Sequence, residues 1–286
     1  MSGLELAFGA KTWLMGIVNV TPDSFSGDGI AVPGRSETEV VAAALSQAAE
    51  FVAAGAQILD VGAESSRPPS VYGDHAQVDP ETELAMAVPV VAALARTFDG
   101  QALVSIDTTK GSVARAALTA GARMVNDVWA ARRDPGTAEA AAAAGAYLVL
   151  MHNAESTDYP DGLFATVVAS LQEAVAAAQA HGVARDRLLV DPGIGFAKTP
   201  AQSIELLHRL GELKAALGLP LLVGTSRKRF IGEILGGLPP EERVEGTAAT
   251  VALAIAAGAD VVRVHDVAHL ARTVRVADAI VRALPR

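Results

Sequence analysis

A chain of 286 residues, 51% hydrophobic and 19% charged, has the length of one large α/β barrel or two ordinary domains, and the apolar content to bury a substantial core. It has no cysteine, which excludes disulfides, thiolate metal sites and thiol nucleophiles, and its net charge of -9 provides no basic face for nonspecific nucleic-acid binding. The longest apolar runs, 140–151 and 248–259, fall short of the roughly 18 residues of a membrane span, and no basic-then-apolar leader opens the sequence; no nucleic-acid or membrane partner is expected, and a cytoplasmic setting is.

The first predicted strand, 12–20, runs into a long loop, 21–35, and a helix, 37–54. Strand 57–62 follows, then a second long loop, 65–80, and helix 81–98. The chain continues with strand 103–108 and helix 111–120, strand 124–128 and helix 137–144, strand 147–152 and helix 163–180. It ends with strand 188–193 and helix 201–217, strand 221–226 and helix 243–257, and strand 261–266 and helix 267–284. Ala-Gly-Ala closes the helical runs at 54–56, 120–122, 144–146 and 257–259, where glycine can take the left-handed conformation that caps a helix. Strict alternation predicts parallel strands with right-handed crossovers, and eight units close a (β/α)8 barrel; an open doubly wound sheet is the competing arrangement. No internal linker appears, so a single domain over 1–286 is expected, with long loops after the first two strands.

Active sites of such barrels form at the carboxyl ends of the strands. Those ends carry Asn19, Asp60, Asp107, Asn126 with Asp127, His152, Asp191, Ser226 with Lys228, and Arg263 with His265. Any one acidic or amide residue there could simply cap the next helix. Pooled, Asp107, Asn126 and Asp191 offer acceptors and amide donors suited to a flat heterocycle with an amino group and ring N–H groups. Arg263 and His265, two apart on an extended run, project to one side beside the 226–229 basic segment and suggest an anion site, with Asp266 on the opposite side.

These ends, with their flanks, carry MGIVNVTPDSFS at 15–26, DVGAESSRP at 60–68, SIDT at 105–108, VNDV at 125–128, DPGIGFAK at 191–198, GTSRKRFIG at 224–232, GTAA at 246–249 and RVHDV at 263–267. In that order and spacing they resemble the dihydropteroate synthases, pterin-binding barrel enzymes. The resemblance implies the joining of 6-hydroxymethyl-7,8-dihydropterin diphosphate to p-aminobenzoate, with release of diphosphate. It further implies that Asp107, Asn126, Asp191 and Lys228 hold the pterin, that Asn19 meets a Mg2+ ion, and that Ser66, Arg263 and His265 contact the diphosphate. Phe25, Arg67, Pro68, Phe196 and Ser226 would form the p-aminobenzoate pocket, and a homodimer is implied. The last helix carries an apolar stripe, Val274, Ala277, Ile280 and Val281, that either a dimer face or burial within one subunit explains.

The sequence departs from the family pattern in four places. The first loop reads Ser26-Gly27-Asp28-Gly29 where Ser-Asp-Gly-Gly is common, and Ala63 stands for a common glycine, which requires an ordinary backbone there. Ser66 keeps the hydroxyl of the frequent threonine, and Trp129-Ala-Ala-Arg-Arg133 replaces a small-residue turn. The competing functions are a noncatalytic pterin-binding paralogue and a methyltetrahydrofolate-binding methyltransferase domain. The latter has no use for paired Ser-Arg-Lys and Arg-Val-His anion contacts.

Overall fold

The computed structural model describes residues 4–21, 29, 30, 34–64 and 78–282. Over them the alternation is borne out: the strands are β1 (Trp13–Asn19), β2 (Ile58–Gly62), β3 (Leu103–Asp107), β4 (Met124–Asp127), β5 (Tyr147–Met151), β6 (Leu188–Asp191), β7 (Leu222–Val223) and β8 (Val261–Val264). All pair in parallel in the order β6-β5-β4-β3-β2-β1-β8-β7, and a single Val190–Leu221 bridge brings β6 against β7 to complete the ring. The helices are α1 (Glu37–Ala54), α2 (Pro80–Thr97), α3 (Gly111–Thr119), α4 (Gly136–Ala144), α5 (Leu163–Ala180), α6 (Pro200–His208), α7 (Leu210–Leu217), α8 (Arg229–Ile234), α9 (Val244–Ala256) and α10 (Val267–Val281).

Local chemistry explains the boundaries. Ser36 and Glu39 form a capping box at α1, Thr199 and Gln202 another at α6, and the Asp79 side chain accepts from Thr82 N–H at α2. The four Ala-Gly-Ala glycines all have positive φ: 112° at Gly55, 114° at Gly121, 60° at Gly145 and 95° at Gly258. Two predicted elements came out differently. Helix 201–217 is interrupted at Arg209, whose φ is -103°, yet Leu206, Leu210, Leu213 and Leu217 keep one buried face across the break. Strand β7 ends at Val223 because Arg227, with φ 58°, turns the chain back, and Lys228 N–H bonds to the Thr225 carbonyl.

Side chains alternate across each strand. The outward set, such as Leu14, Leu59, Val104, Val125, Leu148 and Val262, packs beneath the helices. The inward set is apolar at the amino end, where Trp13, Met15, Ile58, Leu103, Met124, Tyr147, Leu189 and Val261 close over Leu6, with Leu4 and Phe8 packed against them. This floor is pinned by Tyr147, whose hydroxyl accepts from Leu6 N–H at 3.0 Å and donates to Glu5 at 2.9 Å. Only toward the carboxyl ends do the inward positions turn polar.

Helix α5 has the length and apolar composition of a membrane span. Its apolar stripe, Leu163, Val167, Leu171, Ala174 and Ala178, is buried against the barrel. Of the last-helix stripe, Val274 and Ala277 are buried within the subunit, whereas Ile280 and Val281 are exposed, with Val276 and, on α9, Leu253.

Candidate active site

Register sets the layers of the mouth. Asn19 stands beside Gly62, Gly62 beside Asp107, and Asp107 beside Asn126, so these ends share one level. Asp60, opposite Ser105, lies one inward step deeper, and Arg263, opposite Met15, starts deeper still. The long arginine side chain climbs from that depth: Nε donates to Asp60 Oδ2 at 2.6 Å and Nη2 to Asp107 Oδ2 at 2.8 Å. Asn126 Nδ2 donates to the same Asp60 oxygen at 3.0 Å. One guanidinium therefore ties together three strands.

Burial dominates the electrostatics. It pushes the Asp107 carboxyl upward, against the pull of Arg263 and with the push of Asp60. It raises Asp191 to about 6, although the Gly193 N–H bond, at 2.7 Å, and the charges of Lys228, Lys198 and Arg263 all favour the carboxylate. Lys228 sits over the Phe196 ring, its nitrogen 3.8 Å from the ring centre. The Ser226 hydroxyl accepts the His265 backbone N–H at 3.1 Å and lies 2.9 Å from His265 Nδ1.

Thus Asp107, Asn126, Asp191, Lys228, Phe196, Ser226, Arg263 and His265 gather at one mouth, and Asn19 ends β1 on its rim. Phe25, Ser66, Arg67 and Pro68 lie outside the described residues. Asp127 is not a site group. Its side chain faces away from the barrel interior and accepts from Trp129 N–H at 2.8 Å, Ala131 N–H at 3.1 Å and the Thr137 hydroxyl at 2.7 Å, so it organises the turn after β4. Ala63 is buried with an ordinary backbone, as expected. Arg227 forms a two-point pair with Asp266, at 2.9 and 2.5 Å, and Arg229 pairs with Glu233 along α8. Two participants were missed: Asp60 as the anchor of Arg263, legible from its inward parity, and Lys198, which ends the 191–198 segment with no role assigned yet is 5% exposed.

The Trp129 turn packs its indole with Val128, Met151 and Phe196, and Arg133 stacks on it at 3.9 Å. Ala130 and Ala131 follow at φ 55° and 58°, in a region that disfavours a side chain. Ala130→Gly and Ala131→Gly are each expected to stabilise the protein by about 1 kcal/mol in urea unfolding. No gain from either would mean that this turn stores no backbone strain.

Comparison with known proteins agrees with this geometry. The family model described as pterin binding enzyme matches residues 15–265. The chain is 42% identical to dihydropteroate synthase of Bacillus subtilis (strain 168), over 96% of this chain and 90% of that one. Among solved structures, dihydropteroate synthase from Clostridium difficile in the presence of pteroic acid matches with a TM-score of 0.88 at 41% identity, covering 97% of this chain and all of that one. The Xanthomonas albilineans dihydropteroate synthase with 4-aminobenzoic acid gives 0.84 at 40% identity, covering 96% and 94%. Matched nearly end to end, with its polar strand ends gathered at one mouth, the chain belongs to the dihydropteroate synthases of the pterin-binding enzyme family.

Proposed function

We propose that this enzyme joins 6-hydroxymethyl-7,8-dihydropterin diphosphate to p-aminobenzoate, giving 7,8-dihydropteroate and diphosphate for folate synthesis. The observation that carries the reading is the single mouth in which Asp107, Asn126, Asp191 and Lys228 stand beside Arg263, His265 and Ser226. The first four suit the hydrogen-bonding edges of a pterin, and Lys228 over Phe196 suits the boundary between pterin and arylamine. The carboxylates of Asp107 and Asp191 favour positive charge developing on the pterin methylene as its C–O bond to diphosphate breaks. The arylamine nitrogen attacks that carbon with its own lone pair and needs no prior deprotonation; the proton shed by the resulting ammonium passes to water, so a poised base is dispensable. Arg263 and His265 stabilise the departing diphosphate. Two nitrogens of Arg263 already engage Asp60 and Asp107, and neither bond uses Nη1. Phe25, Arg67, Pro68, Phe196 and Ser226 receive p-aminobenzoate, and Ser66 adds a hydroxyl toward diphosphate.

Among the described residues no group of three or more His, Asp or Glu could hold a metal ion. Asn19, one amide oxygen at the rim, fits Mg2+ that arrives on the diphosphate, since that ion commonly takes one or two protein ligands and substrate phosphates. Bound there, Mg2+ would neutralise leaving-group charge. The chain is read as one domain that works in the cytoplasm, and the exposed Val276, Ile280 and Leu253 support its reading as a homodimer.

The test is to incubate the protein with both substrates and Mg2+ and follow diphosphate release. Turnover is expected; pterin diphosphate binding with no release would make the chain a noncatalytic pterin binder. Lys228→Ala should weaken pterin diphosphate binding by about tenfold to a hundredfold in calorimetry, without loss of the folded state. Unchanged affinity would remove Lys228 from the site.

A further inference from the structure

Lysines in barrel loops usually reach solvent, but Lys198 is buried and, among the described residues, forms no ion pair. Its nitrogen instead lies 3.0 Å from His152 Nδ1 and donates to the Phe196 carbonyl at 3.0 Å. Burial, the lysine and Arg132 hold His152 down to about 3, so its imidazole is neutral and Nδ1 accepts the lysine proton. Burial also lowers Lys198 to about 7, with Asp191 pulling upward and Arg132 downward. The surrounding turn is bolted to the end of β5. Gly193, at φ 68°, comes so close to His152 that a Cβ there would lie 2.0 Å from its carbonyl oxygen, and the Tyr159 hydroxyl donates to the Ala197 carbonyl at 2.7 Å. The same turn begins at Asp191 and carries Phe196 beneath Lys228.

We propose that Lys198 is a positioning residue: its buried ammonium holds the Phe196 carbonyl against His152, setting the aromatic wall of the arylamine pocket, and supplies a positive charge that favours the Asp191 carboxylate. A buried cation without a carboxylate partner is costly, and the attraction of the Asp191 charge offsets part of that cost. The inference rests on the proposed condensation, and the two fail separately. Asp191 is faced by Lys228, Lys198 and Arg263, and Lys198 by Asp191, Arg132 and His152, so removal of Lys198 takes away one of three cations acting on the carboxylate.

Two variants divide the roles. Lys198→Met removes both charge and donor, whereas Lys198→Gln removes the charge and keeps a donor. In Lys198→Met, the KM for p-aminobenzoate should rise roughly tenfold, a misplacement effect. The acid limb of kcat/KM for pterin diphosphate should move up by about one pH unit. In Lys198→Gln the limb should move equally, with the p-aminobenzoate KM close to wild type. A wild-type acid limb in both variants overturns the proposal. So does an unchanged p-aminobenzoate KM in the methionine variant, and so does a glutamine variant that fails to fold, which would leave Lys198 a packing role alone. If the wild-type protein releases no diphosphate, the condensation fails, and the pH dependence of pterin diphosphate binding in the same variants, measured by calorimetry, still decides the case for Lys198.

Discussion

Arg263→Met is expected to damage the fold as well as the reaction. The guanidinium is the cation bonded to Asp60, whose side chain is wholly buried, and to Asp107, which is nearly so. Breaking a buried pair from one side leaves an uncompensated charge and costs about 3–5 kcal/mol. Urea unfolding should show a loss of that order, together with loss of diphosphate release. Asp60→Asn in the same chain should recover part of the stability, because it removes one of the stranded carboxylates, but it should not recover turnover. Independent, additive effects of the two substitutions would show that the network does not act as a unit. Methionine matches the arginine stem in length, so lost packing alone does not account for a deficit of this size.

Asp191→Asn is expected to lower kcat/KM for pterin diphosphate by about 100-fold to 1,000-fold, because a site built to accept N–H groups then presents an amide in place of an anion. Wild-type activity should also fall as the pH drops through about 6, the value to which burial raises this carboxyl. The sign follows from the proposed role: a carboxylate that accepts ring N–H groups must be ionised, so its function is present above that pH and lost on protonation. The asparagine variant should lose this acid limb. A limb that persists in the variant would belong to another group, and a loss confined to p-aminobenzoate kinetics would refute the placement of Asp191 against the pterin.

Most of this architecture was legible because periodicity and punctuation agreed. Ala-Gly-Ala marked four helix ends, and in each case the glycine took the left-handed conformation that the reading required. The polar strand ends were legible too, since barrel interiors rarely accept Asp60, Asp107, Asn126 or Asp191 without a purpose. What escaped depended on contacts between distant segments. Asp127 was grouped with Asn126 among the polar strand ends, but alternation turns it outward onto its own turn. Lys198 is a loop lysine by composition, and only the approach of His152 from β5 reveals its burial. The reversal at Arg227, which cut β7 short, is fixed by Asp266, Thr247 and Arg243, and none of these neighbours it in sequence.

The short β7 gives the barrel a seam. Seven of the junctions between strands are ladders, but β6 meets β7 through one bridge and the Val190 N–H bond to the Pro220 carbonyl. The seam opens within the proposed substrate mouth, with Asp191 and Phe196 on one bank and Ser226 and Lys228 on the other. The Lys228 cation resting on the Phe196 ring is a clasp across it. A pterin gripped from both banks would act as a suture, so its binding energy would be felt first as resistance of this one joint to parting, while the rest of the ring, already laced by its ladders, would gain little.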